Sequence, residues 1–151
     1  MPEGIWFPQI VSQRTIVFGI DNEGNMWQWG QHFCDNSEER VKLYGLEEIE
    51  RRSKPVPIAW FKEKNIKCLE VKCGGEFAIV KTQDKDGKLE FYAIAKSDSQ
   101  TYIGGGQGYE KLCDYVYKLS VQADSISSFA CTRYATFFLF AKKAENASMD
   151  P

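Results

Sequence analysis

Two look-alike stretches constrain this chain more than anything else in its sequence. Thr15-Ile-Val-Phe leads to Gly24 and Ala78-Ile-Val-Lys leads to Gly87, with the same nine-position gap and a separation of 63 residues. In each, an apolar run meets a turn cluster, Asp21-Asn-Glu-Gly24 or Lys85-Asp-Gly87, and a second run follows, Asn25 to Trp29 or Leu89 to Ile94. An acidic residue beside Gly between β-prone runs marks a tight reversal, because Gly accepts the positive φ that such a reversal needs. A partial third copy is present: Lys72-Cys-Gly-Gly-Glu-Phe-Ala78 lines up with Ala130-Cys-Thr-Arg-Tyr-Ala-Thr136, 58 residues on. Recurrence near 60 residues implies units that stack on their neighbours to bury their faces.

The rest of the chain supports an all-β reading. Leu69-Glu-Val-Lys-Cys73 alternates strictly, as a strand with one buried face does. Residues 126–141 read as two strands broken near Thr132-Arg133. Tyr109 to Val121 fits a strand through Tyr115, Tyr117, Leu119 and Val121, and also a helix through Tyr109, Leu112, Val116 and Leu119. The strand is preferred, since aromatic residues favour pleated surfaces. Glu38 to Arg52 permits a short helix through Leu43, Leu46 and Ile49, or a charged excursion at a sheet rim. The repeat region spans residues 1–141, with units of roughly 5–60, 61–120 and a partial 121–141, and residues 142–151 read as a flexible tail.

Composition narrows the function classes. The chain has 151 residues, 43% apolar and 26% charged, with a net charge of −2, which suits a globular domain. A near-neutral balance without a basic block argues against a nucleic-acid binder. The apolar run Ala135–Ala141 is far shorter than the roughly 20 residues of a membrane helix, so no membrane insertion is expected. Pro2, Glu3 and Gly4 do not resemble the opening of a secretory leader. The expected location is intracellular, in the cytoplasm, with the nucleus as the alternative. Cys34, Cys68, Cys73, Cys113 and Cys131 make an odd set without a close pair, which excludes a full disulfide framework. A zinc site from His32, Cys34, Cys68 and Cys73 lacks ligand spacing.

With those residues in view, a resemblance emerges. Pro55-Val-Pro-Ile58, then Phe61, Ile66, Leu69 and Lys72-Cys-Gly-Gly-Glu-Phe-Ala-Ile-Val80 resemble the repeat of the regulator of chromosome condensation family. Asn22-Glu-Gly-Asn-Met-Trp-Gln-Trp-Gly30 resembles its aromatic-x-Trp-Gly ending, and Ile103-Gly-Gly-Gly106 its Leu-Gly-x-Gly segment. The similarity covers about residues 11 to 141. Phe77 and Ala135 stand where the family has His, Thr132 where it has Gly, Ala95 where it has the second Gly, and Ile94 where it has Trp. The resemblance implies a partial β-propeller of about two to three antiparallel blades, completed by another chain or by further sequence. Its repeat positions are Gly24, Trp27, Trp29, Gly30, Cys73, Gly74, Gly87, Tyr92 and Cys131. Gly74 suits a crowded turn near the axis, and the large aromatics suit packing between blades.

Catalytic constellations are missing from the sequence. Gly104-Gly-Gly-Gln-Gly108 lacks the Lys-Ser/Thr of a phosphate loop, and His32 beside Cys34 has no visible orienting group. No catalytic residue, metal or cofactor is expected. The expected function is a non-enzymatic protein-interaction or scaffold module within a larger assembly. Rigid sheets present loops for binding, and the longest, residues 31–54, makes Glu38, Glu39, Arg40, Glu47 and Arg51 the candidate contact residues. The expected partners are other protein chains, among them one that completes the propeller. The resemblance also implies two alternatives: a guanine-nucleotide exchange factor for a small GTPase, or the substrate-binding part of a ubiquitin ligase.

Overall fold

In the computed structural model, the described residues are 3–30, 37–45, 54–95, 103, 108–113 and 115–141. They form an all-β fold of three antiparallel sheets, none closed on itself among the described strands. Sheet one holds β1 (Gln9–Gln13), β2 (Ile16–Ile20), β3 (Met26–Gly30) and β4 (Val56–Pro57) in chain order. Sheet two holds β5 (Lys67–Cys73), β6 (Phe77–Gln83), β7 (Leu89–Ala95), β8 (Tyr109–Cys113) and β9 (Val116–Leu119), in the order β5-β6-β7-β9-β8. Sheet three is the hairpin β10 (Ile126–Cys131) and β11 (Thr136–Phe140). Two helices, α1 (Ser37–Tyr44) and α2 (Ala59–Glu63), lie in the connections around β4. The candidate tail, residues 142–151, lies outside the described residues.

The 63-residue recurrence is structural. Ile16↔Gly30 through Ile20↔Met26 pair β2 with β3, and Ile79↔Ala93 through Gln83↔Leu89 pair β6 with β7, so every pair reappears 63 positions later. The turns match bond for bond. Asp21 N–H donates to the Asn25 carbonyl and Asp84 N–H to that of Lys88, each at 2.9 Å. The Asp21 carboxylate accepts from the N–H groups of Glu23 and Asn25 at 2.8 and 2.9 Å, and that of Asp84 from Asp86 and Lys88, both at 2.9 Å. Gly24 and Gly87 close these turns at φ +85 and +87, where a Cβ is strained. An Asp side chain that satisfies the loop N–H groups explains why the signal is so legible.

Two expectations need correction. The preferred single strand across Tyr109–Val121 is a hairpin, β8 and β9, which reverses around Tyr115 at φ +76. A non-glycine residue in the left-handed region gives no sequence cue. The aromatic endings are also out of step by two. The register places Trp29 with Tyr92 and Trp27 with Glu90, rather than Trp29 with Ile94 as the resemblance to the family's Trp implies. The segment Glu38 to Arg52 is helical at its start, in α1.

Alternation assigns β6, β7 and β9 of sheet two to two cores. Ala78 and Val80 of β6, with Tyr92 and Ile94 of β7, join Phe18, Ile20 and Met26 of sheet one in the first core. The intervening Phe77, Ile79, Phe91 and Ala93 join Phe129 of β10 in the second core, with Phe138 packed against it. The sheets therefore stack face on face in chain order, with sheet two clasped on both sides. Phe91 is the hinge of the second core: its ring meets those of Phe129 and Phe138 edge-on at 5.0 and 5.2 Å. Gln9 ties sheet one to sheet two. At the irregularity between Cys68 and Glu70 its amide donates to the Leu69 carbonyl and accepts from Val71 N–H.

Candidate protein-interaction surface

Three features of the stack bear on recognition: its inner hairpin tips, its groove and its two ends. At the tips, β5–β6 closes with Gly74 N–H donating to the Phe77 carbonyl, and β10–β11 with Thr132 N–H donating to that of Ala135, both at 2.9 Å. Gly75 N–H then reaches the Arg133 carbonyl at 3.1 Å and joins the two tips. A Cβ on Gly74 would run into the Phe77 ring and lie 2.7 Å from the Thr132 carbonyl oxygen. The closing residues Cys73 and Cys131 occupy equivalent places, one buried and one half-buried.

The other repeat positions are structural in their contacts. The Trp27 indole N–H donates to the buried Asp21 carboxylate at 2.8 Å. Tyr92 is buried against Trp60 and Phe61 of α2, ring centroids 5.7 and 5.6 Å away. Gly30 sits at φ +82 against the Thr15 carbonyl, which leaves no room for a side chain. Of the candidate loop residues, Glu38, Glu39 and Arg40 fall within α1 with side chains outside the described part, and Glu47 and Arg51 lie outside the described residues.

A groove of about 620 Å³ opens beside α2, lined among others by Trp60, Asp84, Glu90, Tyr92 and Lys118. Some of its charges are already engaged. Glu90 pairs with Lys118 at 2.9 Å and Lys88 at 3.5 Å, and the Lys64 ammonium lies 5.6 Å from the Trp60 ring centroid. Burial raises the Tyr92 hydroxyl well above its ordinary value, and the neighbouring Glu90 carboxylate adds to the rise.

Three thiols, those of Cys68, Cys73 and Cys131, are held protonated by burial, whereas the thiolate is the nucleophilic form. Burial pushes Cys68 up to about 12, with the Asp21 carboxylate adding to it, and burial takes Cys73 to about 11. Cys131 rises to about 12 chiefly through burial, against the opposing hydrogen bond of Thr136. A thiol with a folded pKa above its unfolded one favours the fold while protonated. That contribution is complete below about pH 9 and drains away as pH climbs through 11 and 12. The urea midpoint is therefore expected to fall steeply above pH 9, and less steeply in Cys68→Ala; a flat profile would contradict the burial of these thiols. Among the described residues no group of three His, Cys, Asp or Glu side chains could hold a metal ion, and His32 and Cys34 lie outside them. No described helix is long and apolar enough to cross a membrane.

The two ends of the stack differ. Sheet one's outer face is covered in part by its own N-terminal segment: Phe7 lies 5.9 Å from Trp27 and 5.5 Å from Trp29, ring to ring, while Trp6 and Ile10 remain exposed. That segment is fixed by Trp6, whose N–H donates to the Asn22 side chain at 3.1 Å and whose carbonyl accepts from Asn22 N–H at 2.9 Å. Among the described residues sheet three has no such cover. Phe138 turns inward to Phe91, while Phe137 and Leu139 turn outward and remain 59% and 62% exposed. Large side chains exposed side by side on a sheet face make it a candidate contact surface. Sequence reasoning registered the run Ala135–Ala141 as strand but not this face, because alternate burial is invisible where every residue is apolar.

No family model matches the chain, and no curated protein matches it. Among solved structures, the crystal structure of human WBSCR16 is similar to 93% of this chain with 13% identity and a TM-score of 0.46. The chain spans about half of that structure, 46% of its length.

Proposed function

We propose that this chain is a non-enzymatic protein-interaction module, a partial β-propeller built from repeats like those of the regulator of chromosome condensation family, acting within a larger assembly. The observation that carries this reading is the open end of the stack. Two sheets share register, turn chemistry and stacking, and the third presents Phe137 and Leu139 to the outside. Radial arrays of this kind bury each face against the next unit, so an uncovered apolar face calls for a protein surface. The buried protonated thiols and the Glu90–Lys118 pair in the groove are in keeping with a binding role.

A photoreactive benzoylphenylalanine at position 139 tests the reading. It should trap a covalent protein adduct that Phe137→Asp abolishes, and the same group at the exposed turn residue Lys85 should trap none. No adduct at 139, or equal trapping at both positions, would remove the assignment.

A further inference from the structure

We infer that the open edge of β11 takes an extended strand from a partner protein, laid antiparallel in the place that β3 holds beside β2 and β7 holds beside β6. The inference rests on the proposed reading of this chain as an interaction module, and it adds an edge, a register and the kind of segment that fits. The hairpin tips fix the equivalence: Gly74 to Phe77 and Thr132 to Ala135 close with the same hydrogen bond, 58 positions apart. β11 is therefore the counterpart of β6, with Phe138 standing for Val80 and Phe140 for Thr82. Val80 and Thr82 pair onward with Tyr92 and Glu90 of β7, whereas among the described residues sheet three ends at β11.

Hydrogen bonds at both ends of the β10–β11 pair set which groups face that edge. Thr132 N–H donates to the Ala135 carbonyl and Ala141 N–H to that of Ser125, so the odd-numbered residues from 135 to 141 bond to β10. Phe138 and Phe140 then turn their N–H and C=O groups away from it, as alternate residues of an antiparallel strand do. Natural sheet edges are blunted against unwanted pairing, and other edges of this molecule follow that rule. β4 is two residues ending in Pro57, β5 bears Lys67, Glu70 and Lys72, and β8 bears Glu110 and Lys111. β10 is interrupted between Ile126 and Ser128. β11, Thr-Phe-Phe-Leu-Phe, has neither charge nor proline. Phe140 shares the inward side of β11 with Phe138 yet stays 46% exposed. A strand beside it with an inward aromatic, as Tyr92 stands beside Val80, covers that side while its main chain pairs with the edge, the mode in which extended peptides add to sheets. Residues 142–151 hold neither an Asp-x-x-Gly turn nor an alternating apolar run, which leaves the place to a partner.

Amide exchange of the isotope-labelled full chain, read residue by residue, tests this with a peptide copy of residues 84–95, the chain's own turn and β7. In the chain alone Phe138 and Phe140 should exchange fast. At near-millimolar peptide both should slow by about tenfold or more, and a peptide with Tyr92→Pro, which lacks the N–H due opposite Phe138, should slow neither. A second arm replaces residues 142–151 by the same segment, so that the copied Asp84 takes position 142. There both amides should be protected without peptide, and added peptide should find no site. Unchanged exchange across β6 verifies the fold of the graft; if the graft does not fold, the free peptide decides. Phe138 and Phe140 already slow in the chain alone mean that its own residues fill the edge. Protection in the graft but not by free peptide means that only a tethered strand fits, and protection by the proline peptide means that the register is wrong. Each of these results overturns the inference, as does protection in neither arm. The crosslinker at 139 sits on the outward face and reads the module separately. An adduct there without protection at the edge removes the strand and leaves the module, and no adduct removes the module itself.

Discussion

Alanine at Phe91 is expected to destabilise the chain by about 3–5 kcal/mol, the range for emptying a buried aromatic site. Phe91 is 1% exposed and touches both Phe129 and Phe138 edge-on, so the cavity opens at the joint between sheets two and three. The loss should be uneven. Amide exchange should show β10 and β11 losing protection first, while β6 keeps its own, because the first core does not use the Phe91 ring. A loss below about 1 kcal/mol, or uniform loss of protection, would show that the hairpin is held by something other than this aromatic contact.

The second large effect belongs to Gly74. An alanine methyl there has to displace the fully buried Phe77 ring and press on the Thr132 carbonyl, and neither can yield without moving a hairpin tip. Overpacking of this kind costs about 3 kcal/mol. Gly87→Ala is the informative contrast. Its φ of +87 is unfavourable for a side chain, but the space around it is open, the nearest atom being the Gln83 amide nitrogen at 3.9 Å. Only the backbone penalty of about 1–2 kcal/mol applies there. Chemical denaturation of the two variants should rank Gly74 as the costlier site; the reverse order would mean that the tips of sheets two and three are not in contact.

Much of this architecture was legible because its punctuation is local. The Asp21–Gly24 and Asp84–Gly87 turns carry their own hydrogen-bond acceptors and their own glycine, so four residues suffice to announce each reversal. Other elements had no such signal. α2 is only Ala59–Glu63, a little over one turn, too short to display a helical period. The β8–β9 reversal turns on Tyr115, whose type is common in strands. The offset of the aromatic endings arose because both faces of β7 are apolar, so Tyr92 and Ile94 imitate the spacing of Trp27 and Trp29 in the wrong register.

The exposed apolar face was hidden for a related reason. The run Thr136-Phe-Phe-Leu-Phe140 does not say which side faces inward, and only the aromatic pair Phe91 and Phe129 selects Phe138. The candidate loop of residues 31–54 was chosen for charge and length, properties that suit a solvated excursion as well as a binding site. A docking face was therefore sought among charged residues, while the structure leaves bare an uncharged one.

β6 has a sense of direction that polarity cannot supply. With oil on both sides, rotating the strand by half a turn would violate no rule about water. Volume supplies the orientation instead: the smaller Ala78 and Val80 face the first core, and the bulkier Phe77 and Ile79 face the second. A one-residue slip would force a benzyl group into a methyl-sized space on one side and open a void on the other. The middle sheet is thus keyed by size, and substitutions that preserve hydrophobicity but exchange large for small along it would scramble the lamination of the whole stack.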